Sequence, residues 1–510
     1  MSAAPSEPEK YSIDEMMNRL KQSSAGNPEE GELVTRADGS QAVRVRKRKR
    51  RSSQPHKKDA ERIRRARAVQ IAAALILVLL AALTIGVGII YANSGPFRNS
   101  LVTKIGESTG AKAELHQFRM NPKTANANYL ILEWPQGSLL KTMNFRGLNA
   151  EIFPSSFLGK SMTGEEVTAI ESKIALQYPQ PGQPRRAGPA AGSSLPVNFG
   201  RYRTRLMDVT LGSGPSTISL SKAEGSYTAS NIKGRPQLSV SKGELGIPNW
   251  PKLRLDRALV EFRGEEADII SFRMLHEKDN RGSFQLSGTL SPYKPEQVAS
   301  LAATLELFPL SGLIGPALGG LIEGEVDTEP ADTSNFLSFQ PTANSLAKLD
   351  VTVAASPGSA IRMHGFPFLN AISEALGDDK WFVSPVFESH SQVHLIREGG
   401  AVTLRDVRLE SKSRMAMKGE ISLTTKNTLS GTLEVGLSET ILLASRHQRL
   451  ISMFGPATEG FCWITLQLGG QANAPTDDFK ALFDAAKTGA GPSAPAGTPA
   501  STFEELTRPK

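Results

Sequence analysis

The sequence predicts a mainly β protein: an elongated, antiparallel, twisted sheet or groove with few short helices, preceded by one transmembrane α-helix and a disordered arm. Three observations predict it. Past residue 100, apolar and polar residues alternate in short runs, the period of a half-buried strand. From Ala68 to Tyr91 there are 24 residues without a charge. Ahead of that stretch the chain is polar, strongly charged and almost free of aromatic residues. Hydrophobic residues make up 39% of the 510 and 45 glycines add to them, which is ordinary for a folded chain. A single cysteine excludes an intramolecular disulfide framework, a four-cysteine zinc site and an iron–sulfur cluster, and seven scattered histidines leave little room for a metal enzyme.

The arm is residues 1–67. Its first 40 residues carry four basic and eight acidic side chains, and residues 41–67 carry thirteen basic and two acidic ones. The arm therefore holds +7 of the formal net charge of +8, and the remaining body is nearly neutral. A nucleic-acid-binding surface on the body is not expected. Residues 22–60 are too polar to bury a core. Near the start, Ser12-Ile13-Asp14-Glu15 forms a capping box, and Ile13, Met16, Met17 and Leu20 fall on one helical face. This predicts a short helix over 11–21, able to dock a cytoplasmic protein. The basic run Arg44, Arg46, Lys47, Arg48, Lys49, Arg50 and Arg51 is expected to fix topology or lie on anionic lipid, where each charge is worth about 1 kcal/mol. No aromatic residue interleaves it, so it offers no stacking platform for single strands.

Residues 68–91 form the predicted transmembrane helix. As a helix they would span roughly 36 Å, against about 30 Å of bilayer hydrocarbon. A cleaved signal peptide has a shorter apolar stretch close to the N-terminus. Arg62, Arg64, Arg65 and Arg67 abut the N-terminal end, whereas few basic residues follow it. The positive-inside rule places residues 1–67 in the cytoplasm and the rest outside. The apolar segment 307–322 is broken by two prolines and four glycines, and is expected to be a buried loop or short helix.

The body divides into a β-rich region, 92–359, with a Pro/Gly-rich loop at 179–196, and a C-terminal β region, 360–487. A low-complexity tail, 488–510, follows and is expected to be disordered. In the C-terminal region Met415, Met417, Ile421 and Leu423 share one strand face, opposite Arg414, Lys418 and Glu420. Leu433, Val435 and Leu437 share a face on the next strand. These seven are the candidate lining of a lipid groove, because aliphatic and methionine side chains suit an acyl chain without demanding specific contacts. They serve equally well as ordinary core. Short helices are expected at Phe366–Ala375 and Phe479–Ala486. The stretches 283–310 and 414–438 look like copies of one strand–turn–strand unit, each with a glycine inside the first strand.

The block from about 360 to 478 resembles the C-terminal region of AsmA-like envelope proteins. The likeness rests on an apolar helix at 366–376, a strand at 387–395 and the Gly399-Gly400 turn. It continues through the run AVTLRDVRLESKSRMAMKGEISL, the paired strand LSGTLEVGL and the closing FCWITLQLGGQANAP. It covers roughly a quarter of the chain. It implies a single inner-membrane anchor, a periplasmic body folded into an apolar-lined groove, and a part in lipid movement or outer-membrane assembly. The 67-residue arm departs from that family, whose members usually begin almost at the anchor.

Catalysis is not expected. His390 and His394, with Glu388 nearby, are too far apart on a strand to hold one ion. Glu265, Glu266 and Asp268 are expected to be a solvated turn, and Cys462 a small buried hydrophobe. No nucleophile elbow, phosphate loop or zinc-protease motif occurs. No cofactor and no metal are called for. The function expected is a non-enzymatic one: holding or passing membrane lipid, or supporting outer-membrane assembly. A scaffold joining a cytoplasmic partner to an envelope or cell-wall component is the alternative.

Overall fold

A computed structural model describes residues 32–35, 37–39, 41–44, 57–153, 156, 162–177, 197–292, 294, 297–329, 334–339, 348–445 and 447–487. The docking helix expected at 11–21, the basic residues Arg46 to Arg51 and the tail 488–510 lie outside them. So does the loop 179–196. The chain forms two compact units, Met1–Leu83 and Thr84–Lys510. In the first, the strands Glu32–Thr35 and Gln41–Arg44 pair antiparallel as a hairpin, an element the polar composition gave no reason to expect. Arg44 closes that hairpin opposite Glu32.

The apolar stretch lies in a helix, Lys57–Ala92. Its segment Gln70–Ala92 is long and apolar enough to cross a membrane. Leu75, Leu77, Leu79 and Ile90 are 63–75% exposed. Apolar surface on that scale is rarely left open to water.

In the second unit a short helix, Gly95–Thr109, follows at once. Ser94 caps it, Pro96 fits its first turn, and Gly110 ends it in the left-handed conformation with φ 70°. Asn93 ties the helix junction to the sheet. Its Nδ2 donates to the carbonyls of Ile89 and Met120 at 2.8 and 2.7 Å, and the Met120 amide donates to its Oδ1 at 2.8 Å. Phe97 stacks on Phe118 and meets Tyr91 edge-on.

One large twisted sheet follows, from Lys112–His116 to Ala474–Asp477. Neighbours in it are mostly neighbours in sequence. Rings of pairing occur where a strand is broken in two and both pieces meet the same neighbours, as with Gln237–Ser241 and Glu244–Gly246. Among the described residues no pairing joins the first strands to Ala474–Asp477, so the ladder is an open one. One pair departs from the antiparallel expectation. Met162–Leu176 and Val197–Leu211 run parallel over their whole length, so the sheet is mixed. Apolar alternation reports which face a residue takes and is silent on strand direction.

The main core sits in the C-terminal half, where helices cover the sheet. Ser311–Gly319 realises the apolar segment as a helix kinked at Gly315, with Leu313, Ile314 and Leu318 fully buried. Pro367–Ala375 buries Phe368, Leu369 and Ile372. Glu439–Ala444, Gln448–Met453 and Phe479–Lys487 complete the cover. Leu450, Met453 and Phe479 share one core with Val351, Leu395, Leu404 and Leu433. The two similar stretches are both hairpins followed by a short helix. Their internal glycines take the same unusual backbone, Gly288 at φ 145° and Gly419 at φ 140°.

Candidate functional site

The seven sequence-predicted groove residues come together on one face of two paired strands, Met415–Leu423 and Leu429–Ser438. Met415 lies beside Leu437, Met417 beside Val435, and Leu423 beside Leu429. All seven are 0–4% exposed and belong to the main core with Phe366, Leu369 and Leu450. That face is covered by the protein's own helices.

A different apolar face runs through the N-terminal half of the sheet. The register sets Leu132, Met143, Ile174, Val209, Leu220, Leu245 and Leu253 side by side on successive strands. Directly paired residues point to the same side of a sheet, so this is one continuous row. Its end enters the main core, where Leu245 and Leu253 are buried. Its middle does not, since Met143, Ile174, Val209 and Leu220 are only half-buried. Leu130 and Phe145 pair one step along and are also half-buried.

A second row lies nearer the helix junction: Ala125, Ala150, Val167, Tyr202, Tyr227 and Leu238. Both rows face the same side. Ile174, Val209 and Leu220 from the first pack against Met207, Ala223 and Val240, and so does Leu238 from the second. At the junction the second row meets Ala92 and Leu101 of the helices, together with Ile152, Met162 and Phe199. The apolar surface is therefore continuous from the end of the membrane-length helix to the main core.

The opposite side of these strands is polar. Asn126, Asn144, Lys173, Arg201, Arg203 and Arg205 are exposed there, and Arg146 lies over the Tyr129 ring and 3.8 Å from Glu171. The sheet is amphipathic, yet among the described residues the cluster around Met207 is built from strands alone. A sheet with one apolar face is stable only if something covers it. The strands read individually from the sequence all lie beyond residue 280. The signal was present in Val197–Leu211, where Arg201, Arg203 and Arg205 alternate with Tyr202 and Thr204, before Met207, Val209 and Leu211 carry on the apolar side.

The residues weighed for catalysis are held in ordinary structural contacts. His394 Nε2 lies 2.7 Å from Asp350 Oδ1, and the His390 side chain lies outside the described residues. Among the described residues no three His, Cys, Asp or Glu side chains gather at metal-binding distance. Arg263 pairs with Glu266 at 2.9 Å and lies 3.9 Å from Asp268. Cys462 is buried in the main core, and burial, with Glu439 adding to it, pushes its thiol pKa up. A raised pKa leaves less of the reactive thiolate.

Comparison with family models, curated proteins and solved structures finds no match to this chain.

Proposed function

We propose that this is a single-pass membrane protein whose β body holds or passes lipid. In this reading the basic arm stays in the cytoplasm and the body lies outside, in the periplasm of a bacterial envelope, as the AsmA-like resemblance implies. The observation that carries the reading is the apolar face around Phe145, Ile174 and Val209, which no described helix covers and which is continuous with the end of the membrane-length helix. A lipid leaving the bilayer along Ala92, Leu101 and Ile152 meets apolar surface all the way to Leu245. Each acyl methylene moved from water onto such a surface gains up to about 0.8 kcal/mol. The face is lined by aliphatic and aromatic side chains with few polar groups, which suits an acyl chain of unspecified length. The role asks for no covalent chemistry and no cofactor.

The test is lipid retention by the full-length protein purified in mild detergent, counted by native mass spectrometry. The wild type is expected to retain phospholipid. Val209→Asp and Phe145→Asp place a carboxylate on the half-buried face and should cut retention several-fold while the protein stays folded. Arg203→Asp, on the polar side, should leave it unchanged. A folded wild type without bound lipid would remove the reading.

A further inference from the structure

Beside the helix junction lies a cleft of about 510 Å³, lined by Asn93, Phe118, Arg119, Met120, Asn121 and Asn126. We infer that it takes the phosphate ester of a phospholipid headgroup, with Arg119 as the anion-binding residue. The inference rests on the lipid reading above and adds a polar site to its apolar track. Four observations support it.

Asn93 directly follows the apolar segment Gln70–Ala92, so the cleft stands where the apolar span gives way to polar chain. Headgroups occupy that level of a bilayer. The Arg119 side chain is exposed and has no ion-pair or hydrogen-bond partner among the described residues, and no carboxylate lines the cleft. Arg119 pairs in register with Asn126, whose exposed amide is a second donor on the same side. The site is also built on a fixed frame. The Asn93 side chain is locked to Met120 by two hydrogen bonds, and Asn121 Oδ1 accepts from the amides of Lys123 and Thr124. A guanidinium held beside an amide donor, with no competing acid, matches the oxygens of a phosphodiester. Arg119–Met120 is an edge strand, paired only with Thr124–Glu133 among the described residues. The headgroup therefore sits on the polar side at this edge, and the acyl chains pass round it by Met120, which packs with Ala125 on the apolar face.

The test is calorimetric titration of the full-length protein in maltoside micelles with dihexanoylphosphatidylglycerol, dihexanoylglycerol and inorganic phosphate. A saturable site is expected for the phospholipid, weakened about tenfold or more in Arg119→Gln, the scale of one charge-assisted pair. Arg414→Gln removes an equal charge far along the sheet and should leave affinity unchanged. Equal affinity of wild type and Arg119→Gln would overturn the inference. So would dihexanoylglycerol binding as tightly as the phospholipid, or equal losses in both arginine variants. Inorganic phosphate binding as tightly as the phospholipid would replace a headgroup site with a free-anion site and overturn it too. The apolar face has its own readout, the retention of long-chain lipid, which Phe145→Asp lowers in the wild-type and in the Arg119→Gln background alike. Either site can therefore fail alone.

Discussion

Arg397 is 4% exposed and sits among apolar side chains of the main core. Its Nη1 donates to the Leu313 carbonyl at 2.7 Å, its Nη2 donates to the Asn249 carbonyl, and the guanidinium lies 5.4 Å from the Trp250 ring centroid. It thereby satisfies a carbonyl in the kinked helix Ser311–Gly319 and another in the loop before Trp250. Burial lowers its pKa to about 10, and the group stays charged at neutral pH. Arg397→Met removes the cost of burying the charge but leaves both carbonyls without donors, so a net loss of about 1–3 kcal/mol is expected in urea unfolding. A base whose folded pKa is depressed costs stability below that pKa, and the cost lifts only as pH rises through about 10. The difference between wild type and variant should therefore be flat from about pH 6 to 9.

Asp477 works at the same scale. Its Oδ2 accepts from the Phe368 amide at 2.7 Å and its Oδ1 from the Phe479 amide at 3.1 Å, so one carboxylate caps two helices. Burial raises its pKa, with the two amides acting against the rise. A raised carboxyl pKa means the folded state takes up the proton first, so this group adds stability as pH falls through the raised value toward the ordinary one. Asp477→Asn should cost about 1–2 kcal/mol at neutral pH, and the wild-type advantage should grow as pH falls. A constant advantage would remove the linkage. Neither role was legible in the sequence: Asp477 and Phe368 are 109 positions apart, and nothing in the local pattern of either residue points to the other.

Elements were more legible where one period ran long enough to count. The helix expected at Phe366–Ala375 is found at Pro367–Ala375, and the one at Phe479–Ala486 is found at Phe479–Lys487. The repeated strand–turn–strand unit reappears with its glycines in matching backbone. The two glycines differ in what surrounds them, and that difference sets a prediction. A Cβ on Gly419 would lie 2.1 Å from the Thr432 carbonyl oxygen, a backbone atom that cannot swing away. On Gly288 the nearest atom is a methyl of Leu301 at 3.0 Å, which can shift. Gly419→Ala should destabilise by about 1–3 kcal/mol, and Gly288→Ala by less. Equal costs in chemical denaturation would mean that the positive φ alone, and not the close approach, holds these positions.

At the scale of the whole molecule, alternation foretold a sheet with one apolar face but not which stretch of that face is covered. Cover is a property of distant elements. The helices that close over Met417 and Val435 come from residues 367–375 and 448–487, and no signal near Phe145 announces that none does the same there. Nor did alternation foretell the parallel pair of Met162–Leu176 and Val197–Leu211. Among the described residues the ladder has nineteen rungs, which at about 4.8 Å per strand is about 85 Å along the hydrogen-bonding direction.

The proposed division of the sheet into a packed C-terminal core and an open N-terminal lipid face is tested most directly by site-specific photo-crosslinking in cells. Benzoylphenylalanine placed at Phe145 and at Val209 should give lipid adducts detectable by mass spectrometry of the purified protein. The same group at Arg203, on the polar side, or at Leu404, in the packed core, should give none. Adducts at Leu404 with none at Phe145 or Val209, or no lipid adduct at any of the four, would contradict the account.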